Sequence, residues 1–222
     1  MFQVLPIKTV EVEPWLLRKH YAKRMCPISY AFGLYKNKQL IGIVTYGIPS
    51  SSTLRMGICG SEYIDYVIEL NRLCCDNQPN MASMLVGKSL QMLPKPLIVV
   101  SYADTEQGHV GYVYQATNFI YTGLSAKRTD WKIKGMEHLH GATIADMSRG
   151  QENRAEWMRE KFGDDFYLQD RSRKHRYIFF LGNKYEKQAM LKALKYTIEP
   201  YPKGESKKYD DGGQVQTQTL LF

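Results

Sequence analysis

Residues 66–104 read YVIELNRLCCDNQPNMASMLVGKSLQMLPKPLIVVSYAD. The first ten have the apolar, branched character of a central strand, and DNQPN then breaks the chain with a proline and short polar side chains. In MASMLVGKSLQML, Ala82, Leu85, Val86, Leu90 and Leu93 recur at helical spacing. PLIVV follows as an unbroken apolar run, the pattern of a strand covered on both faces. Strand, helix and strand in this order predict a right-handed crossover, which makes the two strands parallel.

Upstream, FQVLPI reads as a strand, and Pro14 suits the first turn of a helix, EPWLLRKHYAKR, whose Trp15, Leu16 and Leu17 begin an apolar face. SYAFGLYKN and QLIGIVTYGIP form a hairpin around Asn37 and Lys38. SSSTLRMGICGSEY, rich in Ser and Gly, reads as a mobile loop. Downstream, GHVGYVYQATNF predicts a helix and IYTGLSAKR a strand, extending the parallel centre of the sheet. GQENRAEWMREKFG is an amphipathic helix stopped by Gly163, RSRKHRYIFFLG joins a basic cluster to a strand, and KYEKQAMLKAL is a last helix. The expected class is α/β, a mixed sheet with central parallel strands flanked by helices, plus a C-terminal helix and a disordered tail. One domain spans 1–203, and the polar, aperiodic segment 204–222 is the flexible tail.

The chain of 222 residues is 44% hydrophobic, enough for a sizeable core, and no eighteen consecutive apolar residues occur. A soluble protein of the cytoplasm, away from the membrane, is expected. Cys26, Cys59, Cys74 and Cys75 form no CxxC pair, which speaks for reduced thiols and against a zinc site. The P-loop and GxGxxG patterns are both missing, so neither ATP hydrolysis nor dinucleotide use has a motif behind it. A formal charge of +8 favours a polyanionic partner.

Asp104 follows PLIVV at the carboxyl end of a parallel strand, where open α/β sheets place ligands; it either caps the following turn or carries chemistry. Tyr114, ten residues on, can pass a proton or simply pack on the sheet, while Tyr112 points elsewhere. Arg72 in ELNRL interrupts an apolar run and needs a counter-anion; alternation puts it on the face of Leu70 and Cys74. His20 and Tyr21 join the same site or end the first helix. Lys127, Arg128, Arg171, Arg173, Lys174 and Arg176, with His175, form basic clusters suited to phosphates, and Tyr121 and Trp131 are available for stacking.

Taken together, KHYAKR (19–24), ELNRL (69–73), SYADTEQGHVGYVYQATNFIYTGLSAKRTDW (101–131) and YPKGE (201–205) resemble the Mom proteins of bacteriophages. The resemblance covers most of 14–205. It implies a GNAT-like fold with a V-shaped opening between two parallel strands, which in that superfamily admits acetyl-CoA. It further implies conversion of adenine in double-stranded DNA to N6-carbamoylmethyladenine, protecting phage DNA from host restriction inside the host cell cytoplasm. Asp104, Tyr114, Arg72, His20, Tyr21 and Ser83 are the positions it marks as catalytic. The donor stays open between acetyl-CoA and another acyl or glycyl carrier, and iron is a further option. One departure matters: CCDNQPNMAS, where GNAT enzymes carry spaced glycines for the CoA pyrophosphate, has none. The alternatives are an N-acyltransferase acting on a small-molecule or protein amine, and a non-enzymatic DNA-binding protein. Finally, QTLLF at the end of the chain resembles peptides that dock on the bacterial sliding clamp, with Gln218, Leu221 and Phe222 as the contacts.

Overall fold

The computed structural model describes residues 1–20, 23–76, 78–139 and 141–204. Strand β1 (Phe2–Pro6) leads into helix α1 (Thr9–Pro14), which continues as one π-helical turn, Trp15–Lys19. Pro14 therefore lies in the middle of the first helical segment, five residues later than the first-turn position expected. Proline has no N–H to give to the turn before it, and its ring crowds the preceding carbonyl. The following turn is wider, and the His20 N–H bonds to the Trp15 carbonyl.

Strands β2 (Tyr30–Lys36) and β3 (Gln39–Gly47) form the expected hairpin. Asn37 and Lys38 both take positive φ, 49° and 68°, the pairing that matches the twist of two antiparallel strands. The segment read as a mobile loop is ordered instead. Ser51 accepts a hydrogen bond from the Leu54 N–H and opens α2 (Ser52–Cys59), and a 3-10 turn, Ser61–Tyr66, follows. Ile58 and Cys59 are buried under the sheet, which is what the Ser/Gly composition hid.

The crossover is as predicted: β4 (Val67–Cys75), α3 (Met81–Met92) and β5 (Leu97–Asp104), with β4 and β5 parallel. Next come α4 (Tyr112–Ala116), β6 (Ile120–Leu124), β7 (Arg128–Ile133), α5 (Gly141–Asp146), α6 (Arg154–Phe162), β8 (Phe166–Arg171), β9 (Lys174–Leu181) and α7 (Lys184–Ala193). The sheet order is β1-β2-β3-β4-β5-β9-β6, while β7 and β8 make a separate ribbon. The β4–β5 pair is the sheet's one parallel pairing among the described residues. The expected β5–β6 neighbour relation is broken because β9, longer and more apolar, inserts antiparallel between them. Strand β8 had no reading in the sequence.

Two apolar clusters cover the sheet's faces: α3 and α4 close one side with Leu85, Val86, Leu90, Tyr114 and Phe119, and α2 and α7 close the other with Ile58, Val67, Val100 and Met190. A third cluster seats α1 on β3, and a fourth (Ile133, Ile144, Met158) holds the β7–β8 ribbon to α5 and α6. No helix among the described residues is long and apolar enough to cross a membrane. The expected tail, with Gln218, Leu221 and Phe222, lies outside the described residues beyond Gly204.

Candidate functional site

The two parallel strands part company halfway along. Pairing runs from Val67↔Ile98 to Leu70↔Ser101 and stops there, although β4 continues to Cys75 and β5 to Asp104. The cause is local: Thr45 faces Arg72 and Tyr46 faces Leu70, so Asn71 is an extra residue that bends β4. The Ser101 hydroxyl donates to the Leu70 carbonyl at 2.9 Å and ties the strands at the point of the fork. Into the fork opens a cleft of about 930 Å³, the V-shaped opening that the resemblance implied.

The same extra residue corrects the expected placement of Arg72. Leu70 packs in the α3-side core, whereas Cys74 packs with the α1 cluster, so Arg72 shares the face of Cys74 only. Its Nη1 donates to the Asn71 carbonyl at 2.7 Å, and its buried Nε has no hydrogen-bond partner among the described residues. Arg72 lines the cleft, where its guanidinium charge is suited to an oxyanion.

Asp104 ends β5 opposite Lys174 of β9. Its carboxylate accepts from Lys174 Nζ at 3.1 Å, the Ser172 hydroxyl at 2.9 Å and the Glu106 N–H at 3.1 Å. Burial pushes this carboxyl up, but the Lys174 hydrogen bond and charge, with the other two donors, hold it below the usual carboxylate range. Asp104 is thus an ionised, oriented anchor, and its bond to Glu106 realises the turn-capping alternative as well. By strand alternation it lies with Tyr102 on the α2/α7 side, whereas Tyr114, buried against Phe119 and Tyr177, lies on the α3/α4 side. Both line the cleft, from opposite faces of the fork. Gly111 seats Tyr114's helix: its φ is +80°, and a Cβ there would stand 2.4 Å from the Tyr177 ring. Tyr112, expected to point elsewhere, also lines the cleft, and its hydroxyl donates to the Gly204 carbonyl.

His20 also lines the cleft and is 7% exposed. Burial, with the Arg72 and His109 charges, pulls its pKa down to about 4, so the imidazole is neutral near pH 7. Tyr21 lies outside the described residues. Ser83 is not brought to the cleft: it lines a separate groove between α3 and α4, where its hydroxyl donates to the Asn80 carbonyl at 3.1 Å.

The basic residues divide. Arg128, Arg171, Lys174 and Arg176 line the cleft, and Lys127 is exposed outside it. Arg173 is turned to the carbonyls of Ser125 and Leu124, at 2.6 and 3.3 Å. Arg128 and Arg171 are paired in register across the β7–β8 ribbon, and among the described residues the ion pair of Arg171 is with Asp130 at 3.9 Å. Like charges in register repel, so this mouth is built to receive an anion.

Sequence reasoning passed over Glu69, Tyr102 and Tyr196. All three line the cleft on the α2/α7 side, where the Arg176 guanidinium lies 3.3 Å from the Tyr196 ring centroid. The available signal was the carboxylate that interrupts the apolar alternation of VIEL. Tyr196 follows α7 and reaches the cleft only through the fold.

For a CoA-type donor, the run leading into α3 has no glycine to let a diphosphate approach the backbone. The Asp76 carboxylate is held there by Lys19 at 3.1 Å. On its α3/α4 side the cleft is lined by Ala82, Val113 and Tyr114. No group of three or more His, Cys, Asp or Glu among the described residues is arranged to hold a metal ion, so iron has no ligand set there.

A profile described as the Mom protein family matches residues 1–203. A methylcarbamoylase, mom, from Escherichia phage Mu is 29% identical over 212 residues, covering 89% of this chain and 84% of that protein. Solved structures with a similar chain path include a GNAT-family acetyltransferase from Bacillus cereus, 12% identical, covering 81% of this chain and 97% of that one, at a TM-score of 0.42. Another is a mutant spermidine/spermine N-acetyltransferase SpeG from Vibrio cholerae, 10% identical, with coverage of 86% and 99% and a TM-score of 0.45. A third, a Bacillus subtilis acetyltransferase in complex with CoA, is 10% identical, with coverage of 82% and 99% and a TM-score of 0.41.

Proposed function

Because this chain belongs to the Mom protein family, we propose that it is a transferase that converts adenine in double-stranded DNA to N6-carbamoylmethyladenine and so protects phage DNA from host restriction. The observation that carries the reading is the forked cleft with opposed Arg128 and Arg171 at its mouth and Arg72, Lys174 and Arg176 within. Such a cleft suits a substrate that brings phosphates to the rim and a planar group to the interior. The name of the phage Mu relative, a methylcarbamoylase, supports the kind of group transferred.

The N6 amine of adenine is a poor nucleophile and is hidden in the base pair, so the base must leave the stack to react. Extrusion exposes the amine, and the positive rim offsets the phosphate repulsion of a distorted backbone. Asp104, ionised and fixed by Lys174, orients the amine or takes up the positive charge that develops on nitrogen as the new N–C bond forms. Neutral His20 is the nearby group able to accept the displaced proton. Tyr114, a phenol on the opposite face, donates toward the incoming group. The carbamoylmethyl unit arrives on its carrier from the α3/α4 side and the base from the α2/α7 side. The N6–CH2 bond forms as the bond from that CH2 to the carrier breaks, and the carrier leaves with that electron pair while the amine proton passes to His20.

Nucleoside mass spectrometry of DNA from cells expressing the protein tests this. A heavier deoxyadenosine is expected, with strong reduction in Asp104→Ala and Tyr114→Phe. Unmodified deoxyadenosine from wild-type cells that hold the folded protein would overturn the function.

A further inference from the structure

Glu69 has no task in the chemistry described so far, and its surroundings are unusual. It is partly buried on β4, just before the point where β4 and β5 separate, and it faces the cleft. Its carboxyl group makes no hydrogen bond or ion pair among the described residues. Val67 and Val100 put their side chains into the α2/α7-side core, so Glu69 and Tyr102, two residues further along each strand, continue that face. Tyr102 sits opposite Arg176 in register, and Arg176 in turn stacks on Tyr196. One carboxyl group with open hydrogen-bonding capacity therefore shares the α2/α7 side of the cleft with two tyrosine rings, below a basic rim.

We propose that Glu69 reads the target base: its carboxyl group donates to N1 and accepts from the N6 amine of an extruded adenine, and Tyr102 and Tyr196 form the walls against which the ring packs. This rests on the adenine-modifying function proposed above and assigns the specificity of that same site.

The chemistry of the edge supports the assignment. Adenine offers an acceptor, N1, beside a donor, the N6 amine, and a carboxylic acid carries the matching donor and acceptor on one planar group. Burial raises the Glu69 pKa against the opposing charges of Arg72 and Lys174, which favours the form that can donate. The interaction uses one N6 hydrogen and leaves the other side of the nitrogen facing Asp104 and the fork. Tyrosine walls suit a flipped base because every base has an apolar face to stack. The Tyr102 phenol, its pKa raised by burial and by Glu69, stays protonated and does not add a competing charge.

A glutamine at this position keeps one donor and one acceptor in the same geometry; alanine keeps neither. The test is fluorescence anisotropy with the full-length protein and a short duplex holding one unpaired adenine, compared with the same duplex holding purine, which lacks the amine. Wild type is expected to prefer adenine by about tenfold, the order of discrimination of a good bidentate contact. Glu69→Ala should bind both duplexes alike, and Glu69→Gln should keep most of the preference, with thermal melts confirming that both variants fold. Equal preference in wild type and Glu69→Ala, loss of it in Glu69→Gln as well, or no preference in wild type would each overturn the assignment. Nucleoside mass spectrometry on the wild-type cells separates the two failures. Modified deoxyadenosine without a Glu69 effect removes only this inference, whereas its absence removes the function.

Discussion

Replacing Asp104 by Asn keeps the shape of the side chain and removes its charge, leaving Lys174 beside an amide in a pocket where Asp104 is 12% and Lys174 30% exposed. Exposed ion pairs contribute about 0–1 kcal/mol, and breaking buried ones costs about 3–5 kcal/mol. This pair lies between those limits and is supported by the Ser172 hydroxyl and the Glu106 N–H, so a loss of about 1–3 kcal/mol is expected. For a chain of this length that lowers the melting temperature by about 3–10 °C. The clean assay is a double-mutant cycle by urea unfolding of wild type, Asp104→Asn, Lys174→Met and the double variant at pH 7. The coupling should be about 1–3 kcal/mol, because the second substitution removes a partner that is already gone. The pH dependence has a definite sign. The folded carboxyl titrates below its unfolded value of about 3.9, so the coupling is fully present above that pH and fades as pH falls through the folded value. A coupling under about 0.5 kcal/mol at pH 7, or one unchanged well below pH 4, would refute the view of Asp104 as an ionised, Lys174-held anchor.

Three further outcomes are expected. His20 titrates at about 4 when folded and about 6.5 when unfolded, so its contribution is complete above pH 6.5 and declines toward pH 4. His20→Gln should therefore flatten the stability–pH slope in that window by up to about 1.4 kcal/mol per pH unit in urea titrations. Gly111→Ala forces a Cβ onto the Tyr177 ring at positive φ and should cost about 2 kcal/mol or more, read as a lower melting temperature. Arg128→Ala and Arg171→Ala should each weaken duplex binding for every sequence and lower the slope of log K against log salt by about 1, measured by anisotropy across a salt series.

The crossover from Tyr66 to Asp104 was legible in the residues because each of its parts carries its own local signal: an apolar run, a proline break, then a helical repeat. Asp104 was legible for the same reason, as a charge at the end of such a run. The segment from Ser50 to Tyr63 misled because serine and glycine mark loops and helix caps alike; Ile58 and Cys59 become an apolar face only once a sheet lies beneath them. Pro14 misled because it is as compatible with a widened helical turn as with a first one.

By itself, the amino-acid sequence determined the class of the fold, the parallel crossover, the basic character and, through its motifs, the family resemblance. All of these reside in local periodicity or in residues contiguous along the chain. Only the tertiary structure decided that β9 enters between β5 and β6, bringing Lys174 to Asp104 across seventy positions of chain, as its register records. It alone decided that one extra residue at Asn71 opens the fork and turns Arg72 away from the face of Leu70. It also carried Ser83 to a different groove and gathered Glu69, Tyr102 and Tyr196 around one cavity. Strand insertion and a register slip depend on which apolar surfaces bury each other best, a competition between distant segments that no short stretch of sequence contains.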